Sequence, residues 1–211
     1  MNILEIKDLE KLAQKKVPKM FFDYVNSGSW TETTYNENVS DFQKIKLRQR
    51  VAIDMSNRTL ETKMIGQKVA MPMAIAPTGL TGMQRADGEI LAAQAAEEFG
   101  IPYTLSTMSV CSIEAVAEKT KKPFWFQLYV MKDKKFMERL IDRAKAAKCS
   151  ALVLTLDLQL LGQRHKDIRN GLSTPPKLVP KHIYQVLTRP AWCMRMLTTK
   201  NHFFGNIVGH V

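Results

Sequence analysis

Gln127 stands inside the apolar run Phe124-Trp125-Phe126-Gln127-Leu128, where a lone amide needs partners if it is buried. It carries donor and acceptor on one planar group, a pattern able to read an imide edge. Three other apolar runs also end on short polar residues: Ala76-Pro77-Thr78-Gly79, Leu105-Ser106-Thr107 and Leu154-Thr155-Leu156-Asp157. Thr78, Ser106 and Thr155 bring hydroxyls, Tyr129 a phenol and Asp157 a carboxylate. Residues two apart on a strand share a face, so Gln127 goes with Tyr129 and Thr155 with Asp157. Each alone has a plainer role, Ser106 or Thr155 as a satisfied core hydroxyl and Asp157 as a helix cap. As a set at corresponding strand ends they suit a flavin or a similar planar ring held beside a phenol and a carboxylate.

Such ends must be positioned by the elements between them. Met73–Ala76, Pro102–Leu105, Phe124–Leu128 and Ala151–Thr155 read as strands with little polar alternation, hence buried on both faces. Helical patterns separate them over Gly88–Phe99 (capped by Gly100), Ser112–Lys119 and Lys132–Ala147. Strands alternating with helices predict an α/β fold with a parallel sheet. An open doubly wound sheet would place a glycine-rich first turn on a nucleotide. The first turn here, Pro77-Thr78-Gly79-Leu80-Thr81-Gly82, has no GxGxxG, and the polar residues are spread over all four strand ends. That favours a (β/α)8 barrel of the TIM type, whose site is built by several βα loops. Eight units close such a barrel, and this sequence supplies four. Residues 1–70 read as a helical lead-in, with helices over Ile6–Gln14, from Pro18 to Gly28, and over Thr34–Phe42. Residues 71–157 hold the βα strands. Residues 158–211 read as a long excursion that includes Asn170-Gly171 and Pro175-Pro176, with short helices over His182–Leu187 and Trp192–Leu197. Its end, Gly205–Val211, matches no further βα unit.

The 211 residues carry a net charge of +11. The excess is concentrated late, with eight basic side chains against the single acid Asp167 after residue 157. A basic surface attracts anions, including lipid. Without a helix-turn-helix, zinc or RNA-recognition signature, the charge does not point to nucleic acid. The three cysteines, Cys111, Cys149 and Cys193, are far apart with no CxxC pair, which points to a reducing compartment and to no structural metal. The first residues carry acids and lysines where a secretory signal would be apolar, and no run reaches the ~20 apolar residues of a membrane span. A cytoplasmic protein, peripheral at most to the inner face of the plasma membrane, is expected.

The order and spacing of these residues resemble the FMN-dependent α-hydroxy-acid dehydrogenases and oxidases, most of all their bacterial lactate branch. The resemblance runs over nearly the whole sequence. It is carried by Phe21-Phe22-Asp23-Tyr24-Val25-Asn26-Ser27-Gly28, by Ala76-Pro77-Thr78-Gly79-Leu80-Thr81-Gly82-Met83, by Phe126-Gln127-Leu128-Tyr129, and by Thr155-Leu156-Asp157 through Gly162-Gln163-Arg164 to Arg169-Asn170-Gly171. It implies FMN as cofactor, lined by Pro77, Thr78 and Gly79 and hydrogen-bonded at its ring by Ser106, Gln127 and Thr155. It implies a small L-2-hydroxy acid held by Tyr24, Tyr129 and Arg164, with Asp157 orienting a catalytic histidine. It further implies oxidation of L-lactate to pyruvate, a quinone or cytochrome as electron acceptor, and a homo-oligomer at full length.

The same resemblance places the histidine base, a second substrate arginine, a flavin lysine and the phosphate loops in a second half of the barrel. None of His165, His182, His202 or His210 follows a strand in the manner of that base, and His165 reads as a surface residue. The expectation is therefore an N-terminal half-barrel, truncated before its histidine and weak in FMN binding by itself. The alternative is a non-catalytic flavin-face module that pairs with a second polypeptide.

Overall fold

The computed structural model describes residues 2–172 and 179–209. Pro175, Pro176, Lys177 and His210, named above, lie outside the described residues. The lead-in contains three helices, α1 (Ile6–Lys16), α2 (Lys19–Val25) and α3 (Thr33–Lys44), and then a hairpin of β1 (Thr62–Met64) and β2 (Gln67–Val69). Pro18 precedes α2 and supplies the fixed φ a helix start needs. Met20 and Phe22 of α2 are buried, and the helix ends at Asn26, two residues before Gly28.

The regular part follows as α4 (Thr81–Gln84), α5 (Gly88–Phe99), β3 (Thr104–Ser106), α6 (Ile113–Lys119), β4 (Trp125–Tyr129), α7 (Lys134–Ala146) and β5 (Ala151–Thr155). Strands β3, β4 and β5 form one parallel sheet in that order. The expected first strand, Met73–Ala76, is reduced to a parallel bridge between Ile75 and Tyr103. Ile75 N–H donates to the Pro102 carbonyl and Thr104 N–H to the Ile75 carbonyl. Pro72 and Pro77 flank this stretch and have no N–H to extend the ladder. The first turn, Pro77–Gly82, runs at its end into α4, which starts at Thr81.

The helices form where the apolar spacing put them, and their ends have local causes. Gly100 closes α5 at φ +87°, a backbone that favours glycine. Ser112 caps α6 by accepting from Ala115 N–H at 3.1 Å, and Asp133 caps α7 by accepting from Phe136 N–H at 3.0 Å. Phe136, Leu140 and Ala144 recur on one side of α7 and are buried with Ile113 and Val116 of α6 against Leu105, Phe126 and Leu128 of the sheet. That cluster is the core.

The last strand departs from the expected burial on both faces. Leu152 and Leu154 lie beside Phe126 and Leu128 in register, yet they are 47% and 49% exposed while their neighbours are buried. The helical layer stops at α7. The excursion after β5 is more ordered than a loop, with α8 (His165–Asn170), α9 (Pro180–Leu187) and α10 (Pro190–Thr198). It is fastened back onto the barrel side. Trp192 Nε1–H donates to the Met83 carbonyl, Thr199 and Asn201 both donate to Asp87 Oδ1, and Asn206 is buried under β3 and α6.

Candidate active site

The parallel register brings Ser106 opposite Gln127 and Tyr129 opposite Thr155 at the C-terminal ends of the strands. Gln127 is 1% exposed, and its amide is the centre of a polar row across three strands. Its Oε1 accepts from Ser106 Oγ at 3.3 Å and from Thr107 N–H at 3.2 Å, and its Nε2 donates to Thr155 Oγ1 at 2.7 Å. Thr107 Oγ1 donates to the Gln127 carbonyl at 2.6 Å. The buried amide thus has the partners it requires, and these bonds fix which way it faces. Ser106, Gln127 and Thr155, separated in sequence, form one contiguous group of hydroxyls and an amide.

The 77–79 loop borders this row. Pro77 and Thr78 are exposed and Gly79 is half-buried. Leu80 N–H donates to the Met108 carbonyl at 3.1 Å, which joins the loop to the end of β3. A Cβ on Gly79 would lie 2.8 Å from Tyr24 Oη and 3.4 Å from Met108, so the absence of a side chain there admits the Tyr24 phenol.

Tyr24, delivered by α2, is covered on one ring face by the Arg164 guanidinium, 4.7 Å from the ring centroid. Arg164 Nη2 also donates to the Tyr24 carbonyl and to Ser27 Oγ. Asp167 Oδ2 lies 3.0 Å from Arg164 Nε as an ion pair, without the N–H aligned on it. Burial raises the Tyr24 phenol above its ordinary pKa, opposed by the Arg164 charge and reinforced by Tyr129 and Asp167. Burial also raises Tyr129, with Asp157 adding to the effect. Tyr24, Tyr129, Asp157 and Arg164 therefore share one electrostatic neighbourhood beside the polar row. Asp157 is exposed at its edge.

Arg164 is thus held by protein groups as well as facing Tyr24, a double engagement its sequence position did not reveal. Ser27 and Asp167, which hold it, were missed, although Ser27 sits inside the quoted 21–28 stretch and Asp167 is the lone acid of a basic segment. His165 is half-buried rather than on the surface, edge-on to Trp30 with ring centroids 6.0 Å apart. His182 is buried, its Nε2 2.7 Å from the Asn170 carbonyl, remote in role from the strand ends. Burial pushes the Cys149 thiol up to about 12 and Cys111 higher still.

Residues 13–210 match the sequence profile of the FMN-dependent dehydrogenase family. The chain belongs to this family. It is 45% identical over 201 residues to an L-lactate dehydrogenase of Vibrio parahaemolyticus serotype O3:K6, across 95% of this chain and 53% of that protein. It is 46% identical to an L-lactate dehydrogenase of Pseudomonas aeruginosa, across 95% of this chain and 52% of that one. It superposes on the crystal structure of the monotopic membrane protein (S)-mandelate dehydrogenase with a TM-score of 0.90 at 32% identity, over 99% of this chain and 56% of that one. A mandelate oxidase superposes at 0.76 and 33% identity, over 85% of this chain and 51% of that one. The chain spans about half the length of the curated relatives it matches. The fold is that of the (β/α)8-barrel class, with strands that do not close a barrel among the described residues.

Proposed function

We propose that this chain supplies the ring-facing half of the flavin site in an FMN-dependent dehydrogenase of small L-2-hydroxy acids, with L-lactate as substrate and pyruvate as product. The observation that carries the reading is the row Ser106–Gln127–Thr155, bounded by the 77–79 loop and by Tyr24, Tyr129, Asp157 and Arg164.

The donor set fits an isoalloxazine. A planar ring with alternating acceptors and donors along its edge meets a fixed amide between two hydroxyls, and Gly79 leaves the loop open at the border. When bound, the flavin supplies the two-electron acceptor for the hydrogen on C2 of the substrate. The chain's own residues orient the reactants. Tyr24 and Tyr129 present phenols that stay protonated at neutral pH, since burial raises both, and so donate hydrogen bonds to a substrate carboxylate or hydroxyl. Arg164 adds positive charge beside them, suited to a carboxylate. Asp157 supplies the negative charge that steadies an imidazole as it becomes charged. Neither His165, edge-on to Trp30, nor His182, bonded to the Asn170 carbonyl, is that imidazole. The whole enzyme is read as drawing it from a second half of the barrel, in a longer polypeptide or on a second one. Full-length protein is expected to form a homo-oligomer and to pass electrons to a quinone or cytochrome.

The test is an anaerobic titration of the full-length protein. It is expected to bind FMN, and L-lactate is expected to bleach the bound flavin. Failure to bind flavin, or bleaching by no short L-2-hydroxy acid, overturns the reading.

A peripheral membrane contact is part of the same proposal. No helix among the described residues is long and apolar enough to cross a membrane. On α9 and α10, Ile183, Tyr184, Leu187, Met194 and Leu197 are exposed beside Lys181, Arg189 and Arg195. Apolar side chains flanked by bases suit an anionic lipid surface, and the (S)-mandelate dehydrogenase above is a monotopic membrane protein. Lys181→Glu with Arg189→Glu is expected to abolish co-sedimentation with anionic vesicles. Undiminished co-sedimentation rules out this contact.

A further inference from the structure

The segment after β5 returns to the site from behind. Asn206 is fully buried, and all four hydrogen-bonding positions of its amide are used. Oδ1 accepts from Ile113 N–H at 3.0 Å and from Arg143 Nη2 at 3.2 Å. Nδ2 donates to Ser109 Oγ at 2.9 Å and to the Ser106 carbonyl at 3.4 Å. Gly205 makes this approach feasible, because a Cβ there would sit 2.7 Å from both Ser112 N and the Val110 carbonyl, backbone atoms that cannot retreat.

The two Oδ1 bonds brace α6 and α7, which have other holds of their own. The first turn of α6 already has its Ser112 cap, and Arg143 is already paired with Glu114 through two bonds of 2.7 and 2.8 Å. The Nδ2 arm joins the Ser109 N–H, which donates to the same Ser106 carbonyl at 3.1 Å, in closing the turn after β3. It reaches the residue that begins the polar row, and the turn that residue opens also holds the 77–80 loop through Met108.

We propose that Asn206 is a positioning residue for the flavin ring. Its Nδ2 arm fixes the Ser106 end of the row and ties the returning segment, α9 and α10 included, to the geometry of the site. Asn206 touches no reacting atom. The inference rests on the reading that a flavin lies over Ser106, Gln127 and Thr155.

Asn206→Asp targets the arm, since a carboxylate keeps both acceptor contacts, removes both donors and sets an oxygen against the Ser106 carbonyl. On full-length protein, the melting temperature is expected to stay within a few degrees. The FMN dissociation constant, read by flavin fluorescence, is expected to rise about tenfold, with shifted absorption maxima of the bound flavin. Amide exchange at Thr107 and Met108 is expected to accelerate. Ser109→Ala removes the shorter of the arm's two bonds and is expected to give a smaller shift in the same direction if Asn206→Asp fails to fold. Wild-type affinity and spectrum in Asn206→Asp, or in Ser109→Ala where that variant stands in, overturn the inference alone. Wild-type protein that takes up no FMN overturns the functional reading, and the inference with it.

Discussion

Gln127 illustrates how one buried amide can organise a site before any ligand arrives. Its Oε1 and Nε2 are held by Ser106, Thr107 and Thr155, so its polar edge cannot flip without breaking three contacts. Gln127→Leu keeps the volume and removes all of them, leaving the buried Ser106 hydroxyl with Met108 N–H alone and half-buried Thr155 Oγ1 without its amide donor. That is expected to cost about 2 kcal/mol of stability, read as a lower urea midpoint at unchanged m-value. A loss below about 0.5 kcal/mol would mean that water replaces the amide at no cost. Part of this was legible in the sequence, because a lone amide in an aromatic strand demands partners. The identity of those partners was legible only as a set of strand ends. Register decides which hydroxyl reaches the amide, and register depends on packing between strands far apart in the chain. Arg164 shows the limit. Its charge was visible, but its hold on Tyr24 and Ser27 depends on α2 and α8 meeting across about 140 residues of chain.

Among the elements, the helices were the easiest to read and the first strand the hardest. Apolar spacing and local caps act within a turn or two, which is why α5, α6 and α7 fall close to their expected limits. A strand is defined by its neighbours, and Met73–Ala76, flanked by two prolines, forms only one bridge. Between helices, α6 and α7 are joined by Glu114 and Arg143, and Arg143 also supports Asn206. The guanidinium holds the Glu114 carboxyl at about 2, below its ordinary 4.5. A depressed acid contributes stability that is present above about pH 4.5 and lost as pH falls through about 2. More than half of the Glu114 side chain is exposed, so solvent screens the pair and the effect is modest. Glu114→Gln is expected to flatten the acid side of the stability profile between those limits and to leave the neutral-to-alkaline side parallel to wild type. Thermal unfolding at stepped pH checks it, and an unchanged acid slope would remove the pair from the account.

At the scale of the whole molecule, the two faces of the sheet are finished to different degrees. On the inward face the Gln127 amide is fully engaged while the buried Trp125 Nε1 has no partner among the described residues, and the outward face is covered over β3 and β4 and open over β5. Leu152 and Leu154 alternate with half-buried Ala151, Val153 and Thr155, so the exposed side is apolar and in register with the core residues Phe126 and Leu128. A continuous apolar strip at a sheet edge binds hydrophobic dyes and invites association. A protein of these 211 residues is therefore expected to bind anilinonaphthalene sulfonate, and to bind less when Leu152 and Leu154 are both changed to threonine. Threonine is β-branched, a shape that strands favour, so the sheet is retained. Circular dichroism of the double variant should match wild type while dye fluorescence falls. In a longer protein whose added chain covers β5, the same two changes are expected to act in the opposite sense. Dye binding would be low from the start, and stability would drop as buried leucines are lost, by roughly 1–3 kcal/mol for each site. Dye fluorescence that is unaffected by the substitutions in the 211-residue protein would show that the strip is already shielded.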